Sequence, residues 1–225
     1  MELAEKYRRI ILSRLEPGEA YRRCLEELAR DGITADYAFT ETIVYNTEVR
    51  CALDVLRNGR PPRWVNFGDL HGHGDAELWA ILDRVEGLRL AFVGSGPFPI
   101  TALQLHERYP DARITCIDNN IVAHRIGEAL FARLRMEIAT VFAEAIELDY
   151  RPYTVVLVSA MVSGKRALAE KILRTTGALV IVRGAVDLGH ERLIPMPAPF
   201  DDNGCLVGGR IGAPRAAPEL TGSRC

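Results

Sequence analysis

Several signals that would place a protein quickly are missing from this sequence. Its five cysteines, Cys24, Cys51, Cys116, Cys205 and Cys225, form no C-x-x-C pair, and their number is odd. That argues against a disulfide framework and a cysteine-built zinc site, and reads as free thiols in a reduced compartment. No apolar run approaches the length of a membrane span. The start, Met-Glu-Leu-Ala-Glu, lacks the basic-then-apolar pattern of a secretory signal, so a cytoplasmic protein with no membrane partner is expected. A basic surplus is also missing. Twenty-eight Lys and Arg stand against thirty Asp and Glu, a net charge of −2, and nucleic acid is not an expected partner. There is no internal repeat, no H-x-x-x-H spacing, and no assignable Ser-His-Asp or Cys-His arrangement. What is present is 48% apolar and 26% charged over 225 residues, enough for one α/β core with a small extra element.

The first part reads as helical. Apolar residues recur at helical spacing over Glu2–Leu15, Glu19–Arg30 and Asp36–Arg57, the last interrupted near Tyr45-Asn46. Pro17-Gly18, Gly32 and Pro61-Pro62 punctuate these stretches. "WVNFGDLHGHGD" is an irregular loop, after which Asp75 caps a helix over Ala76–Val85. From Arg89 the rhythm changes. The strands "LRLAFV", "ARITCID", "IATVFA", "YTVVLVSA" and "GALVIVR" alternate with helices over Ile100–Tyr109, Asn119–Leu134 and Gly164–Thr175. Alternation of this kind implies a parallel sheet with helices on both faces. "RLIPMP" and "GCLVGGRI" suggest a closing hairpin, and the Pro/Gly-rich residues 212–225 a flexible tail.

"AFVGSGPFPIT" carries the first functional signal. Gly94-Ser95-Gly96 ends the first strand, where ligands of open parallel sheets bind. A dinucleotide loop of the form G-x-G-x-x-G would need glycine at position 99, but Pro99 stands there, with Pro97 before it. Prolines remove N–H groups that a pyrophosphate would use. Asp118 ends the second strand, where an acid accepts ribose hydroxyls. Glu144 ends the third, within reach of an adenine edge. The glycines alone make no more than a turn, and Asp118 alone no more than a helix cap. Together with the strand order they point to a nucleoside without pyrophosphate, hence to S-adenosylmethionine. The expected binding residues are Gly94, Ser95, Gly96, Pro97, Asp118, Asn119, Glu144, Ala145, Ser159 and Met161.

"AFVGSGPFPIT" resembles the Gly-Ser-Gly-Pro-Leu-Pro-Leu-Thr stretch of nicotianamine synthases and their bacterial relatives in opine metallophore synthesis. "VVLVSAMVSGKRALAEKIL" and "LVIVRGAVDLGHERLIPMP" are similar to later parts of that family, the last match carried by Arg183, Gly184, Gly189, Arg192 and Pro195. "GDAELWAILDRVE" corresponds to the helix before the first strand. The resemblance covers about residues 75–197. It implies a Rossmann-like class I methyltransferase-type parallel sheet (89–211) beneath a helical N-terminal cap (1–88). It also implies use of the aminocarboxypropyl arm of S-adenosylmethionine, with an amine attacking the carbon gamma to the carboxylate and methylthioadenosine leaving.

A smaller related group closes that arm on its own α-amine, giving azetidine-2-carboxylic acid. Only 88 residues precede the first sheet strand here, which suits a cyclase with a single substrate. An aminocarboxypropyl transferase with an amine acceptor, an ordinary methyltransferase and a non-enzymatic nucleoside-binding module are the alternatives. The expected partner is a small molecule, and a homodimer is left open. Arg183 could pair with the substrate carboxylate or form a plain salt bridge. Glu77 could orient the amine or lie solvated on its helix. Tyr7, Tyr37 and Tyr45 could cover the sulfonium or pack in the cap. Asp69, His71, His73 and Asp75 lack metal-site spacing, so "LHGHGD" reads as a loop near the cleft and no metal is expected.

Overall fold

The computed structural model describes residues 6–7, 9–10, 17–32, 37–59, 74–183, 192–195 and 204–208. Lys6, Tyr7, Arg9 and Ile10 are helical, and the rest of the predicted first helix lies outside these residues. Helix α1 is Pro17–Arg30. Pro17 opens it, because the first turn needs no N–H from that position and proline's fixed φ suits a helix. Helix α2 runs unbroken from Tyr37 to Asn58, through the expected interruption. Asn46 spends its side-chain N–H on the Thr42 carbonyl, one turn back in the same helix. Helix α3 is Gly74–Leu82. Asp75 therefore lies inside its first turn rather than capping it. The helix also stops before Val85, whose N–H turns back to the Leu82 carbonyl.

Five strands build the parallel sheet: β1 (Arg89–Val93), β2 (Arg113–Asp118), β3 (Ile138–Phe142), β4 (Val155–Val158) and β5 (Leu179–Arg183). Their order is β3-β2-β1-β4-β5. β7 (Gly204–Gly208) pairs antiparallel with β5, and β6 (Arg192–Pro195) antiparallel with β7. The expected closing hairpin thus extends the same sheet to seven strands. Helices α4 (Ile100–Arg108), α5 (Ile121–Leu134) and α6 (Lys165–Thr175) make the crossovers. This is the Rossmann-like class I methyltransferase-type sheet. The order reverses between β1 and β4, which opens a crevice at the carboxyl ends of those strands.

Two-residue alternation splits the strands between two cores. Leu90, Phe92, Ile114, Cys116, Leu157 and Ile181 face one way, onto α4 and α5, and Cys51, Val55, Leu78 and Leu82 of α2 and α3 join the same core. Ala91, Val93, Val156, Val158, Val180 and Val182 face the other way, onto α6 and Tyr150. The N-terminal helices therefore pack directly on one face of the sheet. Arg133 of α5 donates from Nε to the Leu56 carbonyl at 3.3 Å, fastening the far end of α2.

Candidate active site

At the carboxyl ends of β1, β2 and β4 lies a cavity of about 610 Å³. Its size suits a single ligand. The glycine turn forms its floor, and the hydrogen bonds of that turn can be followed donor by donor. Gly94 and Ser95 give their N–H groups to the Ile117 carbonyl, at 2.9 and 3.3 Å. Gly96 gives its own to Asp118 Oδ2 at 2.8 Å. Pro97 and Pro99 have none. The Phe98 N–H goes to the Glu48 carboxyl, and Ile100 bonds the Phe98 carbonyl at 2.7 Å. Each N–H from Gly94 to Ile100 is used within the protein, so the turn offers none of them to a pyrophosphate. Gly94 and Gly96 adopt φ of 71° and 70°. A Cβ on Gly94 would collide with Val162, and one on Gly96 with the Glu48 carboxyl. Both positions require glycine.

Asp118 is anchored from two sides, by the Gly96 N–H on Oδ2 and by the Asn120 N–H on Oδ1 at 2.9 Å. A carboxylate has lone pairs beyond these two, so Asp118 keeps acceptor capacity for a ligand in the cavity. Asn119 donates from Nδ2 to both Glu144 oxygens, at 3.1 and 3.2 Å. Lys171 of α6 donates to the Ile146 and Leu148 carbonyls. Tyr150 donates to the Ala145 carbonyl at 2.9 Å. Together they hold the short Ala145–Glu147 turn as a wall of the cavity.

Of the residues singled out in the sequence, Tyr45, Gly94, Gly96, Asp118, Asn119, Glu144, Ala145, Ser159 and Met161 meet on this lining. Ser95 and Pro97 are buried behind the turn rather than on its cavity side. The structure does not bring Tyr7 to the cavity. It is buried in the N-terminal helices, and its hydroxyl donates to Asp31 at 3.3 Å. Arg183 does not line the cavity either. It is 7% exposed and donates from a terminal nitrogen to Thr101 Oγ1 at 2.9 Å, because a guanidinium buried at a strand end needs a polar partner. Glu77 lies on α3 and Tyr37 on α2, but their side chains are outside the described residues. So are Asp69, His71 and His73, and the tail.

Glu48 was not foreseen. It lies on α2 one turn beyond Tyr45, lines the cavity and is half-buried. Desolvation and, second, the neighbouring Asp118 charge disfavour its ionised form, and the Phe98 N–H offsets part of this. Its carboxyl is pushed up to about 8. A signal for it was present. Val44, Glu48, Cys51, Ala52 and Val55 form one helical stripe, and an acid within an apolar stripe is a buried carboxyl. Asn120 joins the lining as well. Its Oδ1 accepts the Val122 and Ala123 N–H groups as the cap of α5. Glu48, Asp118 and Glu144 make the wall acidic, with no Lys, Arg or His among the described lining residues. Such a wall attracts a cation.

Comparison with solved structures agrees with this topology. The crystal structure of MtNAS in complex with MTA and tNA superposes with a TM-score of 0.58 at 18% identity, over 76% of this chain and 71% of that one. A single-residue variant of MtNAS in complex with S-adenosylmethionine gives 0.53 at 15% identity, over 92% and 89%. The apo form of the S-adenosylmethionine-dependent methyltransferase SibL gives 0.51 at 14% identity, over 93% and 74%. At these identities the likeness concerns the fold. No curated protein sequence matches the chain. The nicotianamine synthase family model matches residues 62–203. That span takes in α3, the glycine turn, Asp118 and the whole parallel sheet, and the chain belongs to the nicotianamine synthase family.

Proposed function

We propose that this protein consumes S-adenosylmethionine by closing its aminocarboxypropyl arm into azetidine-2-carboxylic acid. The observation that carries the reading is Glu48, a carboxyl of raised pKa facing an acidic, single-ligand cavity beside the glycine turn. Asp118 holds the ribose hydroxyls, and the Asn119–Glu144 pair with the Ala145 turn borders the adenine. The sulfonium end lies toward Tyr45, Ser159 and Met161. A chain-terminal α-amino group titrates at about 7.7–8.0, and the sulfonium charge of S-adenosylmethionine pulls its own α-amine down toward that range, close to Glu48 at about 8. Proton transfer between the two groups is therefore nearly balanced, which is the condition for a general base near neutral pH. Ionised Glu48 takes a proton from the α-ammonium group. The nitrogen lone pair then forms a bond to the gamma carbon, the carbon–sulfur bond breaks, and its electron pair neutralises the sulfonium. Methylthioadenosine departs, the ring nitrogen keeps its two protons, and Glu48 keeps the third. Holding the chain bent, with amine and gamma carbon in contact, supplies much of the acceleration.

Membership of the nicotianamine synthase family favours a second reading, in which an external amine takes the aminocarboxypropyl arm. Incubation of the protein with S-adenosylmethionine alone, read by mass spectrometry against a no-enzyme control, separates the two. The cyclase yields methylthioadenosine and azetidine-2-carboxylic acid in equal amounts. Methylthioadenosine that forms only after an amine is added assigns a transferase. S-adenosylhomocysteine as the product would defeat both.

A further inference from the structure

A substrate carboxylate needs a donor that the acidic wall does not offer. The described lining residues include Glu48, Asp118 and Glu144 but no Lys, Arg or His, and the N–H groups of the glycine turn are spent. Arg183, the cation expected for this task, turns to Thr101 on α4. A second cation stands near the end of the same strand. Lys165 opens α6, where a positive charge opposes the helix dipole and no acid or side-chain cap offsets it. Two carbonyls account for its place. Lys165 Nζ donates to Ala160 at 3.0 Å, just past β4, and to Arg183 at 3.1 Å, at the end of β5. The ammonium thus ties the β4–α6 loop to β5, on the side away from β1 and the cavity.

The loop itself can be followed donor by donor. Ser159 gives its N–H to the Val93 carbonyl at 2.9 Å, and Val162 turns back to the Ser159 carbonyl at 3.3 Å. Between them, Met161 lines the cavity and Ala160 does not. No acceptor among the described residues takes the Met161 N–H. The Ala160–Met161 peptide is trans, so its C=O and N–H point opposite ways. Lys165 holds the C=O on the β5 side, which turns the N–H to the cavity side. We infer that Lys165 is a positioning residue: by holding the Ala160 carbonyl it presents the Met161 N–H to the carboxylate of the substrate. The inference rests on the proposed use of S-adenosylmethionine. A carboxylate held by a fixed N–H anchors the far end of the aminocarboxypropyl arm, and an anchored end keeps the arm bent for reaction.

The test compares S-adenosylmethionine with its decarboxylated form, which keeps the sulfonium and the amine and lacks only the carboxylate. Calorimetry gives both dissociation constants for the parent and for Lys165→Met. Methionine keeps an apolar stem and has no N–H to give. Lys165→Met should bind S-adenosylmethionine about fivefold to tenfold more weakly, the effect of one misplaced charge-assisted hydrogen bond. Its release of methylthioadenosine should slow by at least as much. Its affinity for the decarboxylated form should stay within about twofold of the parent's, since no bond to that ligand is lost. The melting temperature falls whatever Lys165 does for the ligand, because two carbonyls lose a partner. The ratio of the two affinities is what a merely structural role would leave at the parent's value. Equal losses for both ligands would overturn the inference, and so would an unchanged affinity for S-adenosylmethionine. Should Lys165→Met fail to fold, Lys165→Gln, which keeps an amide donor for one of the carbonyls, is read by the same ratio. If the parent binds S-adenosylmethionine but releases no methylthioadenosine from it alone, the cyclase reading fails, and the ratio still decides the role of Lys165. A parent that binds neither ligand would overturn both.

Discussion

Replacing Glu48 by glutamine should produce opposite effects on stability and on catalysis. The carboxyl sits at about 8 in the folded chain against 4.5 for an ordinary glutamate. Its neutral form is favoured by the fold, so the sign of the linkage is fixed. Below about pH 4.5 both folded and unfolded chains carry the proton, and Glu48 costs nothing through this route. As pH rises toward 8 the unfolded chain ionises while the folded chain does not, and stability is lost throughout that window. Above 8 both are ionised and the loss stops growing. The full shift bounds this loss at ~5 kcal/mol. Water on the cavity side of the carboxyl reduces it to an expected few kcal/mol. Glutamine has the same shape and no charge to desolvate. Urea unfolding should find Glu48→Gln close to the parent at pH 4.5 and more stable at pH 8.5, with the gap opening between them. A gap that is the same at both pH values would refute the reasoning, because it would mean that Glu48 titrates as an exposed group. The same variant should lose at least about 100-fold in methylthioadenosine release, since an amide cannot take the proton.

Three further outcomes follow from contacts around the cavity. Asp118→Ala removes the partner of two backbone N–H groups and the proposed acceptor for the ribose, and should weaken S-adenosylmethionine binding by at least about 100-fold in calorimetry. Gly96→Ala puts a Cβ against the Glu48 carboxyl at a φ of 70°, and should abolish turnover and lower the melting temperature, the latter read by calorimetric scanning. Lys171→Met releases the Ile146 and Leu148 carbonyls, and should raise the dissociation constant for S-adenosylmethionine several-fold while leaving the pH dependence set by Glu48 unchanged in a titration series.

The parts of the fold that were legible are those in which local and global preferences agree. "TVVLV" and "ALVIV" read as buried parallel strands and are β4 and β5, every residue of both strands buried. The glycine turn was legible because position 99 breaks a phosphate loop, and the structure adds the reason: the remaining donors serve Ile117, Asp118, Glu48 and Phe98. Helix ends were less legible. The helix read from Asn119 starts at Ile121, and Asn120 caps it because its side chain reaches the Val122 and Ala123 N–H groups. The half of the site that comes from α2 was the hardest to read. One helical stripe can pack on the sheet anywhere along its length, and only tertiary packing brings Glu48 to Gly96, 48 positions along the chain. Tyr7 shows the converse. A tyrosine at helical spacing looked available to a ligand, and its hydroxyl serves Asp31 instead.

The donor-poor turn and the acidic wall have one common consequence. A site for a phosphate-bearing nucleotide needs spare N–H groups and few carboxylates. This site has spent the N–H groups from Gly94 to Ile100 and lines itself with Glu48, Asp118 and Glu144. Its ligand should therefore be a nucleoside that carries positive charge. S-adenosylmethionine enters with a sulfonium, an ammonium and a carboxylate, one net positive charge. In the proposed reaction methylthioadenosine leaves neutral, the ring amino acid leaves with its charges balanced, and the remaining proton stays on Glu48. The attraction that gathers the substrate is thus discharged by the chemistry itself. Ionised Glu48 favours binding, protonated Glu48 no longer holds the products, and loss of that proton to water resets the site. One side chain with a pKa near neutrality can serve binding, proton transfer and release in turn, whereas a glutamate at its ordinary pKa would stay ionised and hold the proton too weakly to take it from the amine.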